Sequence, residues 1–182
     1  MSLAGKKIVL GVTGSIAAYK ACELTRLFVK AGAEVAVVMT KGALEFVTPL
    51  TFQTLSRRPV VTDLFDRPAS WEPTHVSLAD WCDLMVVAPC TANVAAKMAC
   101  GLADDALSSF ALACRAPKLV APAMNVGMLE NPATQANLAT LRSRGIEVME
   151  TVEGELACAA VGKGRMPEPE AIFARVSEIL GK

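Results

Sequence analysis

The sequence contains very little histidine and no closely spaced pair of cysteines. His75 is its one histidine, and its six cysteines include no C-x-x-C pair. Tetrahedral zinc sites draw their ligands from such clusters, so we predict no metal centre. The first residues run into a glycine turn too early to serve as a secretory leader. We therefore expect a cytoplasmic protein whose cysteines are free thiols.

An excess of either charge is also missing. The 18 Lys and Arg residues balance the 18 Asp and Glu residues, which gives no reason to expect a nucleic acid or a membrane surface as partner. No apolar run approaches the roughly 18 residues of a membrane span. Instead, 53% of the residues are hydrophobic and the mean hydropathy is +0.40, which is high for a soluble monomer. We expect a small-molecule ligand, with some apolar surface buried between subunits.

The order of apolar segments predicts one α/β domain that spans residues 1–182. Short β-branched runs alternate with stretches of helical periodicity, and a closing helix is predicted after Pro167. Strands are predicted at residues 6–12, 34–40, 60–65, 83–89, 118–124 and 146–150. This alternation is typical of a three-layer Rossmann-like or flavodoxin-like parallel sheet with helices on both faces.

Three segments, 66–80, 121–131 and 151–168, are rich in Pro, Gly or polar residues, and we expect no regular elements in them. The last two directly follow predicted strands. Ligands of open α/β sheets bind beyond the carboxyl ends of the strands. Functional side chains are therefore expected in these segments.

The turn Gly11-Val-Thr-Gly14-Ser15 joins the first predicted strand to a helix. Its backbone N–H groups, the helix dipole and the Ser15 hydroxyl together favour an anion such as phosphate. The turn lacks the G-x-G-x-x-G spacing of dinucleotide sites, and Thr40 ends the second strand where an acidic residue would bind a ribose. The pattern favours a mononucleotide over NAD. An ordinary tight turn with a Ser cap is the alternative.

Two more turns carry polar side chains after predicted strands. Thr91 and Asn93 follow the strand at 83–89, where they either cap a helix or hold the edge of a flavin ring. Met124 and Asn125 follow the strand at 118–124, where they are suited to flank a ring and bind a carboxylate or amide. A simple turn is the alternative at that position.

His75 and Cys158 are the candidates for proton transfer. His75 lies in a polar stretch and acts as an acid or base, unless it is an idle surface histidine. Cys158 lies among small residues between Gly154 and Gly162, unlike the buried apolar settings expected for the other five cysteines. A thiol with the ordinary pKa of about 8.5 is mostly protonated at pH 7 and can donate its proton. An idle, exposed thiol is the alternative.

Five motifs together resemble one family. They are G-V-T-G-S-I-A-A-Y-K (11–20), H-V-S-L-A-D (75–80), T-A-N (91–93), P-A-M-N-x-x-M (122–128) and L-A-C-x-x-V-G-x-G-R-M (156–166). In this order they resemble the homo-oligomeric flavin-containing cysteine decarboxylases. The similarity is greatest to members that convert 4'-phospho-N-pantothenoylcysteine to 4'-phosphopantetheine in coenzyme A synthesis. Those are usually the N-terminal half of a bifunctional protein that also carries a phosphopantothenate–cysteine ligase.

The resemblance implies a trimer, or a dodecamer built from trimers, with FMN at a subunit interface. The residues it implies as FMN contacts are Gly14, Ser15, Ile16, Thr40, Thr91, Asn93 and Met124. In the family's reaction the flavin oxidises the cysteinyl side to a thioaldehyde, CO2 leaves, and the resulting enethiol is reduced. By position, His75 would be the base, Asn125 would bind the substrate carboxylate, and Cys158 would donate the last proton.

The sequence departs from the family pattern at two places. Leu129 stands where the family usually has Trp, and Ala159-Ala160 stand where it usually has Gly-Asp after the cysteine. Since the second change falls in the family's substrate clamp, it leaves other substrates open, among them a peptide that ends in cysteine. A non-catalytic flavin-binding subunit is a further alternative. Without a ligase segment, the chain is expected to be either monofunctional or a fragment.

Overall fold

The main sheet has six parallel strands in the part of the chain that the computed structural model describes, residues 2–65, 74–155 and 161–181. The strands are β1 (Lys7–Val12), β2 (Glu34–Met39), β3 (Val60–Val61), β4 (Leu84–Cys90), β5 (Lys118–Pro122) and β6 (Glu147–Val148). Their spatial order is β3-β2-β1-β4-β5-β6. Because β1 pairs with both β2 and β4, the winding of the chain reverses between β1 and β4.

Helices cover both faces of this sheet. They are α1 (Ala18–Lys30), α2 (Lys41–Leu44), α3 (Pro49–Ser56), α4 (Thr74–Trp81), α5 (Ala92–Cys100), α6 (Ala106–Ala113), α7 (Val126–Glu130), α8 (Pro132–Ser143) and α9 (Pro169–Leu180). Alternate residues of β1 point to opposite faces, so Ile8 packs with α1, α3 and α9 while Val9 packs with α5, α6 and α8. The predicted three-layer α/β class is confirmed. No described helix is long and apolar enough to cross a bilayer.

Both edge strands are shorter than the sequence predicts. The strand expected at 60–65 pairs only through Val60 and Val61, and the one expected at 146–150 only through Glu147 and Val148. At the first edge the Asp63 carboxylate accepts the Phe65 N–H at 2.9 Å. Such a local side-chain bond competes with strand pairing and turns the chain away from the sheet.

The expectation that three segments lack regular elements is wrong. The first contains α4, the second contains α7, and the third contains a hairpin of β7 (Val152–Glu155) and β8 (Val161–Arg165). The hairpin stands outside the main sheet, and its antiparallel backbone hydrogen bonds form without the apolar alternation that a sequence pattern detects. Two of these additions, α7 and the hairpin, lie beyond the carboxyl ends of the strands.

Candidate active site

The turns after β1 and β2 touch through their backbones. A Cβ on Gly14 would lie 2.9 Å from the carbonyl carbon of Gly42, and a Cβ on Gly42 would lie 3.3 Å from the Gly14 Cα. Only glycine permits an approach this close. The Thr40 N–H also donates to the Val12 carbonyl at 3.0 Å. The predicted phosphate residues Gly14, Ser15 and Thr40 therefore belong to one backbone cradle.

The hydroxyls of this cradle keep donors available. Ser15 Oγ accepts the Ala17 N–H at 3.3 Å within the turn, but Ser15 does not cap α1, whose capping residue is Ala17, and its O–H can still donate. Thr40 begins α2 without a capping bond from its side chain. Ile16, next to Ser15, is 56% exposed ahead of α1. The cradle thus offers the O–H donors of Ser15 and Thr40, which suit an anion.

The turn after β4 adjoins this cradle. Thr91 caps α5, its Oγ1 accepting the Val94 N–H at 3.4 Å, while Asn93 is exposed in the first turn of that helix. The prediction that Thr91 caps a helix is therefore correct. The backbone N–H of Thr91 donates to the Thr13 hydroxyl at 3.1 Å, and this hydrogen bond links the turns after β4 and β1.

The turn after β5 is held by the hairpin. The Met124 N–H donates to the Gly164 carbonyl at 3.0 Å, and a Cβ on Gly164 would collide with the Met124 carbonyl oxygen. A Cβ on Gly162 would lie 2.7 Å from Val126 Cγ2. Asn125 is exposed and caps α7, its Oδ1 accepting the Met128 N–H at 2.7 Å. That bond fixes the side chain, and its NH2 group has no acceptor among the described residues.

His75 lies apart from Asn125 within one chain. It is half-buried in α4, not in a loop as expected, and it lines a small cavity with Val38, Val61 and Ala106. Its Nδ1 is buried without a hydrogen-bond partner among the described residues. Two strands, β1 and β4, separate β2 beneath His75 from β5 before Asn125. At about 4.8 Å per strand spacing, β2 and β5 lie roughly 14 Å apart.

The cysteines differ from the expected pattern. Cys158 lies outside the described residues. The other five are free thiols, but Cys100 is exposed and Cys22 is half-buried, so the expectation of uniformly buried settings is wrong. Cys100 lies in α5 and Cys22 lies in α1. Cys90, beside Thr91, is fully buried, and burial raises the pKa of its thiol to about 12. Cys90 is therefore not a proton donor at neutral pH.

An ion pair between distant parts of the chain escaped the sequence reasoning. Lys20 Nζ donates to Glu168 Oε2 at 2.7 Å, and Arg165 Nη2 donates to Glu168 Oε1 at 3.0 Å. The Lys20 side chain is only 11% exposed, and its hydrogen bond lowers the pKa of the Glu168 carboxyl. The spacing of Lys20 from buried Leu24 indicates a lysine on the buried face of α1. The sequence offers no comparable signal for its partner.

These turns lie at the carboxyl ends of the parallel strands, around the reversal between β1 and β4. A profile of flavoproteins matches residues 1–181. The chain belongs to the flavoprotein family. The coenzyme A biosynthesis bifunctional protein of Vibrio vulnificus is 52% identical over 173 residues, which is 95% of this chain and 43% of that protein. This chain thus spans less than half the length of that curated relative.

Two solved structures extend the comparison. A PPC (phosphopantothenoylcysteine) decarboxylase in complex with pantothenoylaminoethenethiol is 31% identical with a TM-score of 0.87, covering 98% of this chain and 100% of that one. The FMN-dependent cysteine decarboxylase SpaF is 30% identical with a TM-score of 0.83, covering 98% and 99%. The family resemblance of the motifs and the fold predicted from the alternation of strands and helices are confirmed.

Proposed function

We propose that this chain catalyses the FMN-dependent decarboxylation of 4'-phospho-N-pantothenoylcysteine to 4'-phosphopantetheine, a step of coenzyme A synthesis. One observation carries the proposal. The turns that hold Gly14, Thr91 and Asn125 lie along one sheet edge in a chain that aligns end to end with a PPC decarboxylase. Residues 1–182 would form one flavoprotein domain.

The cradle after β1 and β2 fits the phosphate of FMN. Side chains are excluded where Gly14 meets Gly42, which lets an anion approach the backbone closely, and the hydroxyls of Ser15 and Thr40 can donate to it. The N-terminus of α1 adds a favourable dipole. Ile16 would flank the phosphate. The flavin ring would contact the side chains after β4 and β5, namely Thr91, Asn93 and Met124.

Asn125 is suited to hold the substrate carboxylate. Its Oδ1 is committed to the Met128 N–H, so its NH2 group is the part that can meet a ligand. When bound, FMN would accept the electrons of the cysteinyl side, which creates the thiocarbonyl that takes up electrons as CO2 leaves. Asn125 would keep the carboxylate oriented for that loss.

We further propose that His75 and Asn125 serve one substrate from different subunits. The separation of β2 from β5 argues against their meeting within one chain, whereas the exposed apolar Ile16, Tyr19, Phe46 and Leu50 near the cradle suit a subunit contact. A trimer, alone or within a dodecamer, would provide it. His75 would act as base, and Cys158 would deliver the last proton. We also propose a cytoplasmic location and a phosphopantothenate–cysteine ligase, fused or separate, as partner.

The central experiment records the visible spectrum of the purified protein with FMN and then adds 4'-phospho-N-pantothenoylcysteine. We expect a flavin spectrum, bleaching on mixing and release of CO2 with formation of 4'-phosphopantetheine. No CO2 from the flavin-loaded protein would refute the proposal. A peptide ending in cysteine, added in competition, tests the alternative substrate, and preferential turnover of the peptide would favour it. In Cys158→Ser, CO2 release should persist while the reduced product is lost.

The role of Asn125 has a matched test. Asn125→Asp keeps an oxygen to cap α7 but replaces the NH2 donor with a second oxygen, so KM should rise at least about tenfold, since a carboxylate would face a carboxylate. Asn131 caps α8 in the same way, with its Oδ1 accepting the Ala133 N–H at 2.9 Å. Asn131→Asp should therefore leave KM unchanged. Equal KM values in both variants would exclude Asn125 from carboxylate binding.

A further inference from the structure

The fully buried hydroxyl of Thr13 bridges the ends of two neighbouring strands. Its Oγ1 donates to the Pro89 carbonyl at 2.8 Å, and the Thr91 N–H donates to the same Oγ1 at 3.1 Å. Thr13 follows β1, while Pro89 lies near the end of β4. The Thr13 side chain therefore binds backbone groups of Pro89 and Thr91, which lie more than seventy residues further along the chain.

This bridge begins where backbone pairing stops. The pairing of β1 with β4 runs from Ile8 and Leu84 to Gly11 and Val87 and goes no further. Pro89 has no N–H with which to continue the ladder. The Thr13 hydroxyl supplies both an acceptor and a donor there, which is what a further pair of strand residues would have done.

The bridge also decides where α5 begins. Thr91, whose N–H it accepts, is the capping residue of α5, and its Oγ1 in turn accepts the Val94 N–H. Asn93 lies within this first turn. The Thr13 hydroxyl therefore ties Thr91, and with it the first turn that contains Asn93, to the turn after β1.

We propose that Thr13 is a positioning residue that sets the distance between the phosphate cradle and the ring-contacting side chains of Thr91 and Asn93. This inference rests on the proposed function insofar as the ligand is FMN. Thr13 itself is too deeply buried to touch a ligand, so it acts through Thr91 alone.

Thr13→Val tests the inference because valine keeps the shape of threonine and removes the hydroxyl. The Thr91 N–H is then left without its acceptor, so the Kd for FMN should rise about tenfold and the visible bands of bound FMN should shift. Thr13→Ser restores the hydroxyl and should return Kd and spectrum to those of the unchanged protein. Unchanged FMN binding in Thr13→Val, or no recovery in Thr13→Ser, would overturn the proposal.

Thr25→Val is the matched control. Thr25 is also fully buried, but its hydroxyl donates to the Ala21 carbonyl at 2.7 Å inside α1. We expect loss of stability without change in FMN affinity or spectrum. An equal loss of FMN affinity in this control would reduce Thr13 to a general role in the fold. If neither Thr13→Val nor Thr13→Ala folds, Thr13 likewise has only a general role in the fold, and the proposal is overturned.

A second readout needs no flavin. Hydrogen exchange of the Thr91 N–H in the flavin-free protein should be at least about tenfold faster in Thr13→Val than in Thr13→Ser, since a bonded amide becomes free. Equal rates would overturn the bridge even if FMN binds. If the unchanged protein fails to bind FMN while the exchange rates differ, the proposed function fails and the bridge stands.

Discussion

The two sides of the candidate site are built differently. We define the phosphate wall as residues 13–15 and 40–42, and the substrate wall as residues 124–126 and 162–164. In the phosphate wall two glycines touch at the ends of adjacent strands of the main sheet. In the substrate wall a turn after β5 rests on a hairpin strand outside that sheet. The first wall is fixed by backbone packing, whereas the second depends on how a separate hairpin is anchored.

This contrast predicts that each wall fails in its own way. Damage to the phosphate wall should remove FMN, because the backbones of Gly14 and Gly42 leave no room there for extra atoms. Damage to the substrate wall should weaken substrate binding, while FMN stays bound through its phosphate even though its ring would contact Met124. The following substitutions test that separation, beginning with the largest expected effect.

Gly14→Ala should abolish most FMN binding. The added Cβ would lie 2.9 Å from the Gly42 carbonyl carbon, so the two turns must separate. We expect Kd for FMN to rise about 100-fold, in line with an overpacking cost of about 1–3 kcal/mol concentrated at the cradle. Fluorescence titration of the flavin-free protein measures it. Gly127→Ala is the control, because the nearest atom there is 3.9 Å away. Retained FMN in Gly14→Ala would contradict the close-contact argument.

Gly164→Ala should raise KM about tenfold and leave FMN bound, since it strains the hairpin where it holds Met124. Gly164 has a φ of 135°, which disfavours alanine, and the new Cβ would also meet the Met124 carbonyl. Gly145→Ala is the control, because Gly145 has a φ of 78° but an added Cβ would meet no atom of the described residues within 4 Å. The test is to measure the KM for the substrate and the Kd for FMN in both variants. If FMN and substrate were lost together, the two walls would not be independent.

Glu168→Gln should destabilise the protein by up to about 1 kcal/mol, because it weakens the link from α1 to the end of the hairpin. Lys20 lowers the pKa of the Glu168 carboxyl from its ordinary value of 4.5. A carboxyl whose pKa is lowered by folding stabilises above that ordinary value and loses the contribution as the pH falls. The stability difference from Glu168→Gln should therefore be present at pH 7 and shrink below pH 4.5. Urea unfolding at both pH values tests this, and a pH-independent difference would contradict it.

Arg142→Met should have the smallest effect. Arg142 pairs with Glu150 at 3.0 Å, but the two side chains are 43% and 89% exposed and belong to neither wall. We expect a change in unfolding free energy below about 0.5 kcal/mol and unaltered FMN and substrate binding. Urea unfolding gives the baseline for judging Glu168→Gln. A larger loss than in Glu168→Gln would show that burial of Lys20 adds nothing to its ion pair.

Much of the phosphate wall was predictable because its signals are local. A glycine turn between a strand and a helix, followed by a hydroxyl, has a known geometry, and Thr40 at the end of the next strand completes the pattern. The residues of the other turns were predicted for the same reason. Gly42 was overlooked, although a glycine two residues after Thr40 is a signal for close approach. The hairpin was missed because its pairing depends on backbone bonds that no apolar pattern marks.

The amino-acid sequence by itself determined the α/β class, the polar turns after the strands and the family, since these follow from periodicity, glycine placement and short motifs. Only the tertiary structure decided that Thr13 bridges β1 and β4, that Lys20 meets Glu168, and that two strands separate β2, beneath His75, from β5, before Asn125. Each of these depends on groups that are distant in sequence and brought together by strand order and packing. Local sequence patterns do not indicate which distant residues come into contact.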